Sequence, residues 1–143
     1  ELFGSGPLEA ELRKKINDLA LENIRLIGWT EDLHNEFRKA DVFCITSLEE
    51  PFGLIIGEAM MSGLPVISTQ TDGAIEIFGT EPEKKGAIYV DFSSPDEIKN
   101  AIQALSNDEK RLLLAQNAHD NINTNFSLER LSRKLKDLFE YAN

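Results

Sequence analysis

The sequence predicts a doubly wound α/β domain: a parallel sheet with helices on both faces, ending in several helices. Three observations carry this. Short β-branched runs alternate with amphipathic stretches as far as Val90, joined by short connections. The run Val42-Phe43-Cys44-Ile45-Thr46 is too continuously apolar for a strand with one wet face, which points to a central strand of a parallel sheet. From Ser94 onward the pattern is wholly helical. Alternating strands and helices force parallel pairing, and right-handed crossovers place helices on both sides of one sheet.

Element by element, residues 1–4 read as the end of a strand, and the loop Gly4-Ser5-Gly6-Pro7 follows. Leu8, Leu12, Ile16 and Leu19 share a helical face and predict a surface helix against a core. Ile24-Arg25-Leu26-Ile27 reads as a short strand stopped by Gly28. Thr30 is a good N-cap for a helix to about Ala40, with Glu31 and Asp32 in its first turn. After the central strand, a loop over residues 47–52 leads into a helix over residues 53–62, closed by Gly63. Pro65-Val66-Ile67-Ser68-Thr69 is the next strand, its proline at the permitted first position. Gly73 opens a short helix through Glu76, and residues 87–90 form a further strand. Ser94-Pro95-Asp96-Glu97 is a capping box with proline at the first helical position, and Ile98, Ile102 and Leu105 form the face of its helix. Two more helices follow, over about residues 108–124 and 127–141, the last with Leu128, Leu131, Leu135 and Leu138 along one side.

The chain has 143 residues, the size of one ordinary domain, and its composition, 41% hydrophobic and 28% charged, is that of a globular protein. A formal net charge of −10 repels polyanions, which argues against nucleic acid as a partner. The single cysteine, Cys44, reads as a small buried hydrophobe within its apolar run. No stretch approaches the roughly 20 apolar residues of a membrane-spanning helix. The chain opens at Glu1 on what reads as a strand already under way, so it is expected to be a fragment of a longer protein.

In a doubly wound sheet, ligands bind outside the carboxyl ends of the strands. The loop there that carries chemistry is Ser47-Leu48-Glu49-Glu50-Pro51-Phe52-Gly53-Leu54, which runs into the helix containing Glu58. Gly53 at the helix start lets a ligand approach the backbone, and the amides of Gly53, Leu54 and Ile55 are expected to point outward as an anion site. Glu50 and Glu58 flank that site, and carboxylates beside a bound phosphate suit the paired hydroxyls of a ribose or hexose. Phosphate on the amides and hydroxyls on the carboxylates together describe a nucleotide sugar. Against this stands the ligand-free role of acidic residues near a helix start, worth roughly 0.3 to 1 kcal/mol. That alternative fits Glu50 better than Glu58, which lies inside an apolar run where burial without a partner is costly.

The segment Glu50-Pro-Phe-Gly-Leu-Ile-Ile-Gly-Glu58-Ala-Met-Met-Ser-Gly-Leu-Pro-Val-Ile67 resembles the two-glutamate signature of retaining glycosyltransferases of the GT-B fold, family GT4. The resemblance extends to Gly4-Ser5-Gly6-Pro7, Ile27-Gly28, Ala40-Asp41-Val42, Gly73, Glu76 and the terminal helices with Phe126-Ser127. It implies that the chain is the Rossmann-like C-terminal, donor-binding domain, without its first strand and helix and without the amino-terminal domain that binds the acceptor glycan, lipid or small molecule. It implies that Glu58 holds the ribose hydroxyls and that Glu50 contacts the transferred sugar. Backbone groups of Phe52, Gly53 and Leu54 would touch sugar and phosphate. Gly4, Gly6 and Gly73 would line the donor, and Trp29 and Thr30 would lie against the base.

Two departures matter. Asp72 stands where the family usually has a first glycine before Gly73, and the family's diphosphate-neutralising arginine and lysine lie upstream of residue 1. Between Lys39 and Lys84 there is no basic residue, so the cations that stabilise a departing diphosphate are expected from outside the chain. There is no Asp-x-Asp motif and no His or Cys cluster with ligand spacing, so no cofactor or metal is expected. His34 and His119 read as solvated. The expected location is cytoplasmic, with any peripheral membrane attachment left to the absent domain. Two other readings stay open: a nucleotide-sugar epimerase or phosphorylase of the same plan, and a non-catalytic α/β signalling or nucleotide-binding module.

Overall fold

The computed structural model describes residues 1–141. The chain divides into two compact units, Glu1–Leu33 and the remainder from His34.

In the first unit, β1 (Leu2–Phe3) and β2 (Leu26–Gly28) pair in parallel on either side of α1 (Glu9–Asp18). Leu2 lies opposite Leu26 and Phe3 opposite Gly28, with a register shift between them. The apolar face of α1 is not packed as the sequence predicts: no residue of the helix is buried, and Leu12 is exposed, as are Leu8 and Leu19 at its ends. Thr30 Oγ1 accepts from the N–H of Asp32 at 3.2 Å, and the helix that follows, α2 (Leu33–Phe37), is shorter than expected. It stops because the N–H groups of Lys39 and Ala40 turn back to carbonyls three residues earlier, Glu36 and Phe37. Tight turns of that kind do not propagate an α-helix.

The second unit is doubly wound. β3 (Phe43–Ile45), β4 (Val66–Ser68) and β5 (Ala87–Tyr89) form a parallel sheet in that order. All three residues of β4 are buried, as a central parallel strand requires. Val66 joins the cluster with Ile56 and Met60 of α3 (Leu54–Met61), Ala74, Ile77 and Phe78 of α4 (Asp72–Phe78), and Ala118 and Ile122 of α6 (Asp108–Asn125). Ile67, one residue on, points the other way into the cluster of Ala101 and Leu105 from α5 (Pro95–Leu105) with Leu114 of α6. One strand thus anchors two cores.

Several expectations need correction. The hydrogen-bond ladders form two sheets rather than one, and β3 is an edge strand of its sheet rather than the central one. Phe43 and Ile45 pack against the first core, but Cys44 faces the other way and is exposed. Partial crowding still pushes its thiol pKa upward by desolvation. The capping serine works as expected, Ser94 Oγ accepting from the N–H of Glu97 at 3.4 Å. The return bond differs: the N–H of Ser94 is already donated to Asp91 O, so the Glu97 carboxylate accepts from the N–H of Asp91 instead, at 2.8 Å. The buried stripe of α5 runs through Ala101 and Leu105, leaving Ile102 about half exposed. The last helix, α7 (Leu128–Tyr141), has no buried residue and holds Leu128, Leu131, Leu135 and Leu138 in the open.

Candidate functional site

The carboxyl ends of β3 and β4 carry the loops that matter, residues 47–53 and 69–71. They are stitched together: Thr69 Oγ1 donates to Ser47 O at 2.6 Å, and the N–H of Thr69 donates to Ile45 O at 3.2 Å. Beyond them α3 and α4 begin side by side.

Gly53 caps α3 with φ 73°, in the left-handed region. A Cβ at that residue would also meet the Ile56 and Ile77 side chains at 3.1 and 3.2 Å, so both conformation and space call for glycine. Its N–H is not free, because Glu50 Oε1 accepts from it at 3.2 Å. The anion site is therefore narrower than the sequence suggests. Among the described residues, the backbone N–H groups of Leu54 and Ile55 have no partner, while those of Ile56 and Gly57 bond Gly53 O. Glu50, half-buried, acts as a local cap for this turn as well as presenting a second carboxylate oxygen.

Glu58 stands differently. It lies one turn beyond Leu54 on the outer face of α3, between the exposed side chains of Leu54 and Met61. Its carboxylate makes no hydrogen bond or ion pair among the described residues, and the apolar neighbours of its sequence do not bury it. The burial cost anticipated from the sequence is thus avoided by exposure rather than by a partner. Phe52, at the tip of the loop, is also exposed.

Gly73 is buried in the first turn of α4, and its N–H is committed to Glu50 O at 2.8 Å. A Cβ there would lie 2.7 Å from Glu50 O, 2.8 Å from Phe52 C and 2.9 Å from Gly53 N. All three are backbone atoms, so this glycine is what lets α4 touch the glutamate loop. Gly73→Ala is expected to displace residues 50–53 and to cost about 1–3 kcal/mol, the usual range for overpacking. Thermal unfolding together with amide chemical shifts checks this. Unmoved resonances for Phe52 and Gly53 would contradict the close approach.

Next to these loops, a cavity of about 470 Å³ lies at the ends of all three strands of the second unit, lined among others by Ser47, Gln70, Thr71, Asp91, Phe92 and Glu97. Much of its polar lining serves the fold. Thr71 caps α4, and Asp91 accepts from the hydroxyl and N–H of Ser93, bonds that hold its carboxyl pKa below the usual value.

The remaining donor-side candidates, Gly4, Gly6, Trp29 and Thr30, sit in the first unit. Gly4 donates its N–H to Gly28 O at 2.7 Å, which places the 4–7 loop beside the segment after β2, with Gly4 and Gly6 exposed. Trp29 is 71% exposed, so it is not a core tryptophan of its unit, and Thr30 is half-buried. His34 and His119 are exposed, and Ser62 Oγ lies 3.5 Å from His34 Nδ1. No group of three or more His, Cys, Asp or Glu side chains comes together among the described residues, and no described helix is long and apolar enough to cross a membrane.

Comparison with known proteins shows the family. The chain is 35% identical to the D-inositol 3-phosphate glycosyltransferase of Corynebacterium kroppenstedtii over 113 residues, 78% of this chain and 24% of that protein. It is 30% identical to the lipopolysaccharide core biosynthesis glycosyltransferase LpsE of Rhizobium meliloti over 92% of this chain and 38% of that one. Among solved structures, Anabaena HepE in complex with UDP and glucose superposes with a TM-score of 0.81 at 26% identity, covering 98% of this chain and 40% of HepE. HepE has also been crystallised with UDP-glucose. The chain therefore spans between a quarter and two-fifths of these relatives. The family profile described as glycosyl transferases group 1 matches residues 1–122. The chain belongs to the glycosyl transferases group 1 family.

Proposed function

We propose that the chain binds the donor in a retaining glycosyltransferase, which moves a sugar from a nucleoside diphosphate sugar to an acceptor hydroxyl in glycan, polysaccharide or glycolipid synthesis. The observation that carries this is Glu58: an exposed carboxylate without a partner among the described residues, one turn past the start of α3, where the amides of Leu54 and Ile55 are likewise unpartnered among them. With about 1.5 Å of rise per residue, about 6 Å separates the first amide from Glu58 along the helix. That spacing suits a phosphate on the helix end and a ribose diol on the carboxylate. Glu50, tied to Gly53, would hold its free oxygen beside the transferred sugar.

The relatives' names speak for glycan assembly, and the HepE complexes contain UDP, glucose and UDP-glucose. Retention of configuration rests on the family resemblance. We take the acceptor site and the cations that neutralise the diphosphate to lie outside residues 1–143, a reading supported by the greater length of the relatives and by the acidity of the chain. The isolated chain is accordingly expected to bind donor weakly and to transfer nothing, and the chemistry is proposed to run without a bound metal.

Calorimetric titration with UDP, GDP and ADP, and with their glucose conjugates, tests the reading. One base is expected to be preferred, with a dissociation constant on the order of 1 mM. Equal, unsaturable heats for all three nucleotides up to several times that concentration would count against a nucleotide site on this chain.

A further inference from the structure

We propose that Tyr89 is a positioning residue for Glu50, acting through α4. This rests on the reading of Glu50 as the sugar-side carboxylate, and it adds a residue that the signature segment does not contain.

The path is short and made of direct contacts. The Tyr89 hydroxyl, at the end of β5, lies 3.1 Å from Ala74 O and 3.2 Å from Gly79 O. These carbonyls belong to the first turn of α4 and to the residue just past its end, so a single phenol pins both ends of the helix to the sheet. Ala74 is the immediate neighbour of Gly73, whose N–H donates to Glu50 O at 2.8 Å. Glu50 Oε1 in turn accepts from the N–H of Gly53, the residue that starts α3.

Each link has little slack. The space around Gly73 is closed by backbone atoms of residues 50, 52 and 53, so α4 and the glutamate loop move together or part. The Tyr89 ring packs edge-on against the fully buried Phe78 at 6.2 Å, which fixes the direction of its hydroxyl. Desolvation raises the phenol pKa, which keeps its proton in place as the donor both carbonyls share. Thr71 caps the same helix end through its bond from the N–H of Ala74, so the Tyr89 contact adds orientation to a helix that is already started.

The test is Tyr89→Phe, which keeps the ring and removes only the hydroxyl, measured in the chain as it stands. Hydrogen exchange of the Gly73 N–H is expected to speed up by about three- to tenfold relative to that of the Thr69 N–H, the range set by loss of one hydrogen bond. Leu105→Val, in the core on the other face of the sheet, is expected to lower stability without changing that ratio. A Gly73 to Thr69 ratio unchanged in Tyr89→Phe, or raised equally by Leu105→Val, overturns the proposal. For donor binding, UDP affinity should stay within about twofold, because Glu58 is untouched, while the extra affinity of UDP-glucose over UDP falls. A fall in UDP affinity of the same size as that for UDP-glucose also overturns it. If the parent chain prefers GDP or ADP, that nucleotide and its glucose conjugate replace the two probes; if it binds none of the three, the donor reading has failed, and the exchange ratio alone decides whether Tyr89 orients the loop.

Discussion

Replacing Gly86 by alanine is expected to destabilise the chain by about 3 kcal/mol or more, lowering Tm by about 10 °C. Gly86 follows a 3₁₀ turn (Pro82–Lys85) with φ 89°, a conformation that costs an alanine about 1 kcal/mol or more. Space is the larger problem. A Cβ there would lie 2.3 Å from the backbone nitrogen of Ala118 and 2.4 Å from its Cα, both inside α6. Those atoms cannot turn aside as a side chain does, so either α6 lifts from the turn or the turn leaves β5, which begins at the next residue. Both responses loosen the core that Ala118 and Ile122 share with Ile56 and Met60. Gly57→Ala is the matched control. It lies inside α3 at an ordinary 3.5 Å from Ile122 Cδ1, and there the change should stabilise by about 0.5–1 kcal/mol through helix propensity. Thermal unfolding of the two variants decides the matter, and a Gly86→Ala midpoint within about 2 °C of the parent would refute this packing of the turn on α6.

The contrast between these glycines shows where sequence reading stops. Gly53 was legible, because a glycine between an acidic loop and an apolar run signals a helix start that something approaches. Gly73 and Gly86 were not legible in the same way, since their need for a hydrogen side chain arises from backbone far away in sequence. The two glutamates were found by their spacing, but the committed state of the Gly53 amide was hidden, because Glu50 reaches forward three residues to accept from it. Glu58 was expected to need a partner for its place in an apolar run. That run is apolar for two reasons at once, Ile56, Ala59 and Met60 facing the core while Leu54 and Met61 face outward with Glu58. A continuous apolar stretch cannot tell these faces apart. The same ambiguity made β3 look central when one of its faces, at Cys44, is open. Tyr89 carried no signal at all, its role depending on two carbonyls that meet its hydroxyl only when α4 is laid against β5.

Glu58→Gln is expected to weaken nucleoside diphosphate and donor binding by about 10- to 100-fold while leaving the fold unchanged. The magnitude follows from replacing charged hydrogen bonds to a diol, worth about 1.5–3 kcal/mol, by weaker neutral ones, with about 1.4 kcal/mol per tenfold. The separation of binding from stability follows from the structure, because the Glu58 carboxylate is exposed and holds nothing else. Its loss therefore removes no internal contact, and Tm should stay within about 2 °C of the parent. Glu50→Gln should behave differently: that carboxylate supports Gly53, so part of its effect would pass through the loop and appear as altered exchange of the Gly53 amide. Titration of parent and both variants with the preferred diphosphate and its sugar conjugate separates the roles. Unchanged affinity in Glu58→Gln would remove the ribose assignment and leave the free amides of Leu54 and Ile55 as a bare anion site. A loss for the sugar conjugate but not for the diphosphate would move Glu58 from the ribose to the transferred sugar, reversing the roles assigned to the two glutamates.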